Sequence, residues 1–199
     1  MSKQVWKPGN MLYPLPAVMV SCQKEGEKPN IITVAWAGNV CTNPAMLSIS
    51  VRKERFSHSI IKDSGEFVVN LVGKDLVKAA DWCGVRSGRD YDKFKEMRLT
   101  PQESQKVSCP GILESPVNIE CKVHQIIELG SHDMIIGEVQ CVTVDEKFMD
   151  DKGRFDLGGA DLIAYSHGEY FELGKKLGKF GYSVAKKAGK SKKKKRQTK

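Results

Sequence analysis

Asn30-Ile31-Ile32-Thr33-Val34-Ala35-Trp36, followed beyond the turn formers Gly38-Asn39 and Asn43-Pro44 by Met46-Leu47-Ser48-Ile49-Ser50-Val51-Arg52-Lys53, is the stretch that decides the fold. The run from Ile31 to Trp36 is β-branched and apolar, as expected of a mostly buried strand. The second run alternates: Ser48 and Ser50 share one face while Leu47, Ile49 and Val51 share the other, which predicts a strand with one core face and one polar face. Arg52, Lys53 and Arg55 follow, and then Phe56 to Gly65 reads as a short helix. Ser57 is its expected N-cap, Ile60 and Ile61 give its apolar face, and Gly65 supplies the left-handed residue that ends it. A strand that ends in cations and runs into a helix start gathers free N–H groups and about half a positive charge, a place suited to an anion such as phosphate. The alternative is that Ser57 only caps and the cations only face water. Glu66 to Leu71 closes the unit as a third strand.

The chain has 199 residues, 40% of them hydrophobic and 28% charged, enough for one domain with a sizeable core. Its formal charge of +8 is unevenly placed. The last acidic residue is Glu172, and residues 1–172 hold 20 Lys and Arg against 24 Asp and Glu, a body charge of −4. The domain is therefore assigned to residues 1–180, and residues 181–199 to a Lys-rich tail that is expected to be disordered. No signal-like N-terminal run and no apolar run of bilayer length occur, so a cytoplasmic protein with no membrane association is expected. The six cysteines include no CxxC pair and read as free thiols: Cys22, Cys121 and Cys141 within strands, Cys41, Cys83 and Cys109 in or near loops.

Elsewhere, Ala17 to Cys22 is the first strand, Lys74 to Trp82 a helix, and Ser87 to Phe94 a loop entering a further short helix with Asp90 as its cap. Val117–Ile127 and Met134–Val144 form a hairpin, and Leu162–Tyr165 is a short strand. Six or seven strands and three short helices, without strand–helix alternation, predict a mainly β protein: an antiparallel barrel with short helices at its rim. The phosphate loop GxxxxGK[ST], GxGxxG, HExxH and GxSxG are absent, which removes most kinase and hydrolase readings. The histidines at 58, 124, 132 and 167 lack ligand spacing, so no metal site is expected.

The order of these parts resembles the flavin reductase-like family of FMN-binding split barrels. The resemblance rests on Pro29 to Trp36, Asn43-Pro44, Ser48 to Lys53 and Ser64 to Asn70. Ala80-Asp81-Trp82-Cys83-Gly84, Ser87 to Phe94 and Glu120-Cys121-Lys122 are similar to the flavoredoxin branch. The resemblance implies a homodimeric antiparallel split β-barrel that binds FMN. Carried over by position, Thr33, Val34, Ala35 and Trp36 would line the isoalloxazine, and Ser48 and Ser50 would face the ribityl chain. Arg52, Lys53 and Ser57 would take the phosphate, with Ser87, Arg89 and Lys93 completing the contacts. Tyr165 and His167 would reach the flavin of a partner subunit. Rival readings stand beside these: Trp36 as a core aromatic, Lys93 on the solvent face of its helix, Ser87 and Asp90 as a turn and a cap.

The function implied is an FMN-dependent oxidoreductase that takes a hydride from NADH or NADPH onto the flavin, with no catalytic side chain of its own. The alternative is a flavoredoxin-type electron carrier reduced by a protein partner. A third reading is a flavin-free module whose basic tail binds nucleic acid or another polyanion.

Overall fold

The computed structural model describes residues 1–185; the expectation for the Lys-rich tail falls mostly on residues 186–199, outside the described residues. The strands are β1 (Leu15–Pro16), β2 (Val18–Cys22), β3 (Asn30–Val34), β4 (Ala37–Thr42), β5 (Ala45–Arg52) and β6 (Glu66–Leu71), followed by β7 (Pro101–Gln102), β8 (Gly111–Ile112), β9 (Val117–Leu129), β10 (His132–Val144), β11 (Ile163–Ser166) and β12 (Glu169–Glu172). The helices are α1 (Phe56–Ser64), α2 (Val77–Val85) and α3 (Lys93–Glu96). Seven strands pair antiparallel in the order β3-β2-β6-β9-β10-β5-β4, and β1-β11-β12 form a second sheet. The chain passes from β3 to β4 through Ala35-Trp36, yet these strands lie at opposite edges of the large sheet. The sheet is thus left open where the opening stretch of sequence crosses it.

The unbroken apolar runs of β2 and β3 follow from burial on both faces. Val18, Val20, Ile32 and Val34 enter one core cluster with Leu47, Ile49, Phe67 and Ile135. Met19 and Ile31 enter the other, against Ala79, Ala80 and Cys83 of α2 and Phe94 of α3. Period-two alternation in β5 does the opposite: Leu47, Ile49 and Val51 are buried while Ser48 and Ser50 stay half-exposed. Gly65 closes α1 at φ 69°, and its N–H reaches the Ile61 carbonyl, as its place in the sequence predicts.

Several expectations are corrected. Gly38 and Asn39 do not break the chain but lie in the edge strand β4, which pairs with β5. The N-cap of α1 is Arg55, with no side-chain cap, and Ser57 is buried inside the first turn. The cap of α3 is Asp92, whose carboxylate accepts from the Lys95 N–H, not Asp90. Cys109 lies in a loop as expected, though buried; Cys83 is buried within α2, and Cys41 is exposed on the edge strand β4. Among the described residues, no helix is long and apolar enough to cross a membrane.

Candidate functional site

A cleft opens beside the unpaired edge of β3, and its charge is sorted along its length. At one end a pocket of about 410 Å³ collects Arg52, Arg55, Arg86, Arg89 and Lys93 with Glu54, the single carboxylate in its lining among the described residues, beside Asn30, Phe56, Ser57, Ser87 and Gly88. A second compartment of about 330 Å³ continues from it, sharing Ile32, Arg52 and Arg55, and is lined by Thr33, Val34, Ala35, Trp36, Ser50, Tyr13, His132 and Tyr165.

The cationic end is assembled by three short pieces of chain. Arg52 ends β5, a turn closed by the Arg55 N–H on the Arg52 carbonyl (3.0 Å) brings Arg55 to the same side, and α1 starts immediately after. With no side chain capping α1, the Phe56 and Ser57 amides stay available at the pocket those residues line, while the His58 N–H donates to the Arg55 carbonyl (3.0 Å). Ser57 Oγ accepts from Asn30 Nδ2 at 2.7 Å, which leaves the hydroxyl hydrogen free to donate. The loop after α2 provides the facing wall. Gly88 permits it: a Cβ there would meet Asn30 Oδ1 at 2.1 Å and Phe56 Cδ1 at 2.8 Å, so only glycine lets this backbone come so close. The Arg89 N–H donates to Ser87 Oγ (3.2 Å), and the Arg89 guanidinium lies 5.3 Å from the centre of the Phe56 ring.

Lys93 forms the floor. Its ammonium donates to the Ile31 carbonyl at 2.6 Å and the Cys83 carbonyl at 2.8 Å, and burial lowers its pKa to about 8. In a strand, alternate residues turn their amide groups to opposite edges. The Ile31 carbonyl faces Lys93, so the N–H and C=O of Thr33 lie along that same outer edge of β3, toward the cleft. The Thr33 hydroxyl is already committed to the Ala80 carbonyl. Trp36 is no core residue; it is 37% exposed and stacks on His132 with ring centres 4.4 Å apart. Burial, and then the charge of Arg52, lower the pKa of His132 and favour its neutral ring. Burial pushes the Cys83 thiol up to about 11, which leaves it protonated and unreactive.

Of the residues expected to bind a flavin, the structure brings Thr33, Val34, Ala35, Trp36, Ser50, Arg52, Ser57, Ser87, Arg89 and Lys93 to the two compartments. It does not bring Lys53, which turns away from the cleft to Glu128 (2.9 Å) and Asp133 (3.3 Å). Lys53 lies in the turn just past the end of β5, where these two carboxylates hold its ammonium away from the cleft. Ser48 lies beyond Trp36, two residues from Ser50 and farther from the cations, and does not line these two compartments. Lys93 is not on a solvent face. Tyr165 lines the cleft of its own chain, and His167 stacks on Tyr13 at 4.5 Å. Arg55, Arg86, Tyr13 and His132 were not among the expected ligands. The basic cluster after β5 contained a signal for Arg55; nothing local marks Tyr13, which arrives from the N-terminal segment.

Residues 11–174 match the model of the flavin reductase like domain. An uncharacterised protein of Archaeoglobus fulgidus is 36% identical over 160 residues, covering 80% of this chain and 88% of the relative. Among solved structures, the flavoredoxin of Desulfovibrio vulgaris (Miyazaki F) superposes with a TM-score of 0.85 at 31% identity, covering 92% of this chain and 100% of the other. Flavoredoxin from Methanosarcina acetivorans gives 0.82 at 26% identity, with 92% and 100% covered. The mainly β, antiparallel arrangement is that of the flavin reductase-like split barrels.

Proposed function

The chain belongs to the flavin reductase like domain family, and on that premise we propose that it is an FMN-binding oxidoreductase of the flavin reductase type. The observation that carries this reading is the sorted charge of the cleft: five cations against one carboxylate at one end, aromatic and backbone groups at the other. That pattern fits FMN, whose phosphate is a dianion and whose ring is flat and neutral. Arg52, Arg55, Arg86 and Arg89, with the Phe56 and Ser57 amides at the start of α1 and the Ser57 hydroxyl, would hold the phosphate. The outer edge of β3 and the Trp36–His132 pair would border the ring. FMN held there would supply the redox chemistry, hydride acceptance from reduced nicotinamide and onward electron transfer. The chain's own part would be to bind, orient and shield: Arg52 and Arg55 reach both compartments and would supply positive charge beside a bound, reduced flavin. Burial keeps the Cys83 thiol protonated, so it is not poised as a nucleophile.

The second reading, an electron carrier reduced by a protein partner, is favoured by the similarity to two flavoredoxins across nine-tenths of the chain. We also propose a homodimer, supported by apolar side chains left exposed at Val142, Phe171, Leu177 and Phe180. The purified protein should be yellow or take up FMN, and anaerobic NADH or NADPH should bleach it. Bleaching only by a protein donor would select the carrier, and failure to bind FMN at all would remove both readings. Sedimentation velocity tests the dimer.

A further inference from the structure

The cleft does not end at the aromatic pair. Past Trp36 it continues into a third space of about 590 Å³, bounded by Met11, Leu12 and Tyr13 of the N-terminal segment on one side and by Trp36, Ser48 and Ser50 on the other. Tyr13, Trp36 and Ser50 line both this space and the middle compartment, so the two are continuous. It differs from the rest of the cleft in having no charged residue in its lining among the described residues. The Ser48 and Ser50 hydroxyls border it without a hydrogen-bond partner among the described residues. Leu12, 83% exposed, gains little from its own chain in this position.

We infer that this space is the binding site for the electron acceptor, and that the acceptor class is an uncharged, flat carbonyl compound of the quinone kind. The inference rests on the proposed flavin site next to it. Each part of the class follows from the lining. Burying a charge here would go uncompensated, which selects against anionic acceptors. Apolar Met11 and Leu12 with the rings of Tyr13 and Trp36 suit a thin, largely apolar body. Two free hydroxyls on one strand face supply donors for carbonyl oxygens, and a site that offers unpaired donors disfavours a hydrocarbon of the same shape.

The test uses the whole chain, titrated with 1,4-naphthoquinone and with its 2-sulfonate, each with and without bound FMN, and read by tryptophan fluorescence and flavin difference spectra. The neutral quinone should bind saturably, the sulfonate at least tenfold more weakly. Leu12→Glu, a substitution at an exposed position, should weaken quinone binding at least fivefold while FMN affinity stays within twofold. Ser48→Ala should weaken the quinone and leave naphthalene unchanged. The inference is overturned by equal affinity for quinone and sulfonate, by an unaffected Leu12→Glu variant, or by absence of saturable binding to the FMN-loaded protein. It is also overturned if Leu12→Glu dissociates a dimer, for the space would then be filled by a second copy. Because binding is read separately from FMN uptake, loss of quinone binding with FMN still bound refutes this inference alone, and loss of FMN binding refutes the flavin reading first.

Discussion

The Lys93 ammonium spans the Ile31 carbonyl at 2.6 Å and the Cys83 carbonyl at 2.8 Å, and so ties the edge strand β3 to the last turn of α2 beneath the cationic pocket. The side chain is 3% exposed, and burial, acting against the charged form, lowers its pKa from 10.5 to about 8.

Replacing Lys93 by Met should therefore do two things. Two buried carbonyls lose their partner, at a cost of about 2–3 kcal/mol near pH 7. Between about pH 8 and 10.5 the unfolded chain binds more protons at Lys93 than the folded one, so this residue makes stability rise with pH across that window. The variant should lack that rise. Buried thiols titrate in both proteins and cancel in the difference. Urea midpoints at pH 7.5 and 9.5 for the two proteins measure it; parallel shifts would show that Lys93 does not titrate there.

His58 and Asp133 are 75 residues apart, buried, and joined Nε2 to Oδ2 at 2.8 Å. Burial opposes the Asp133 carboxylate, yet the bonds from His58 and Lys53 outweigh it and hold its pKa below 3.8. Asp133→Ala should cost about 3–5 kcal/mol, as expected for breaking a buried pair. Asp133 contributes stability above pH 3.8 that disappears as pH falls through its folded pKa, so the variant's acid-unfolding curve should be shallower. Guanidinium melts from pH 2 to 6 check both.

Gly88→Ala places a methyl 2.1 Å from Asn30 Oδ1. The Asn30 and Phe56 side chains or the loop must shift, at about 1–3 kcal/mol, and because these groups wall the pocket with Arg86 and Arg89, FMN affinity should fall at least tenfold. Far-ultraviolet dichroism should stay unchanged. An unaltered affinity would mean that the loop does not wall the site.

Much of this was legible locally. The alternation of β5, the span of β6 and the left-handed Gly65 each follow from rules that act within a few residues. What the sequence hid depends on distant partners. The edge strand β4 looks like a turn until β5 pairs with it, and Lys93 looks solvent-facing until α2 covers it. His58 gives no sign of Asp133. The division between Arg52 and Lys53 also depends on distant partners, because Lys53 sits in the turn after β5 and meets Glu128 and Asp133 there.

Thiol accessibility checks the fold independently. Cys41 is exposed and Cys141 partly so, while Cys22, Cys83, Cys109 and Cys121 are buried, with burial pushing Cys22 and Cys121 up to about 12. A disulfide exchange reagent at pH 7.5 should react with one thiol quickly, a second slowly, and the remaining four only on denaturation. Cys41→Ser should remove the fast phase.

The flavin reading stands or falls on whether the cationic pocket recognises a phosphate, and the affinities of FMN and riboflavin measured side by side for the wild-type chain, Arg55→Ala and Lys53→Ala decide it. Charge-assisted hydrogen bonds are worth about 1.5–3 kcal/mol each, so FMN should bind at least tenfold more tightly than riboflavin. Arg55→Ala should weaken FMN at least tenfold and riboflavin little, and Lys53→Ala should leave both within twofold. Equal affinities for the two flavins, or a loss on Lys53→Ala matching that on Arg55→Ala, would contradict the assignment of this pocket to the phosphate.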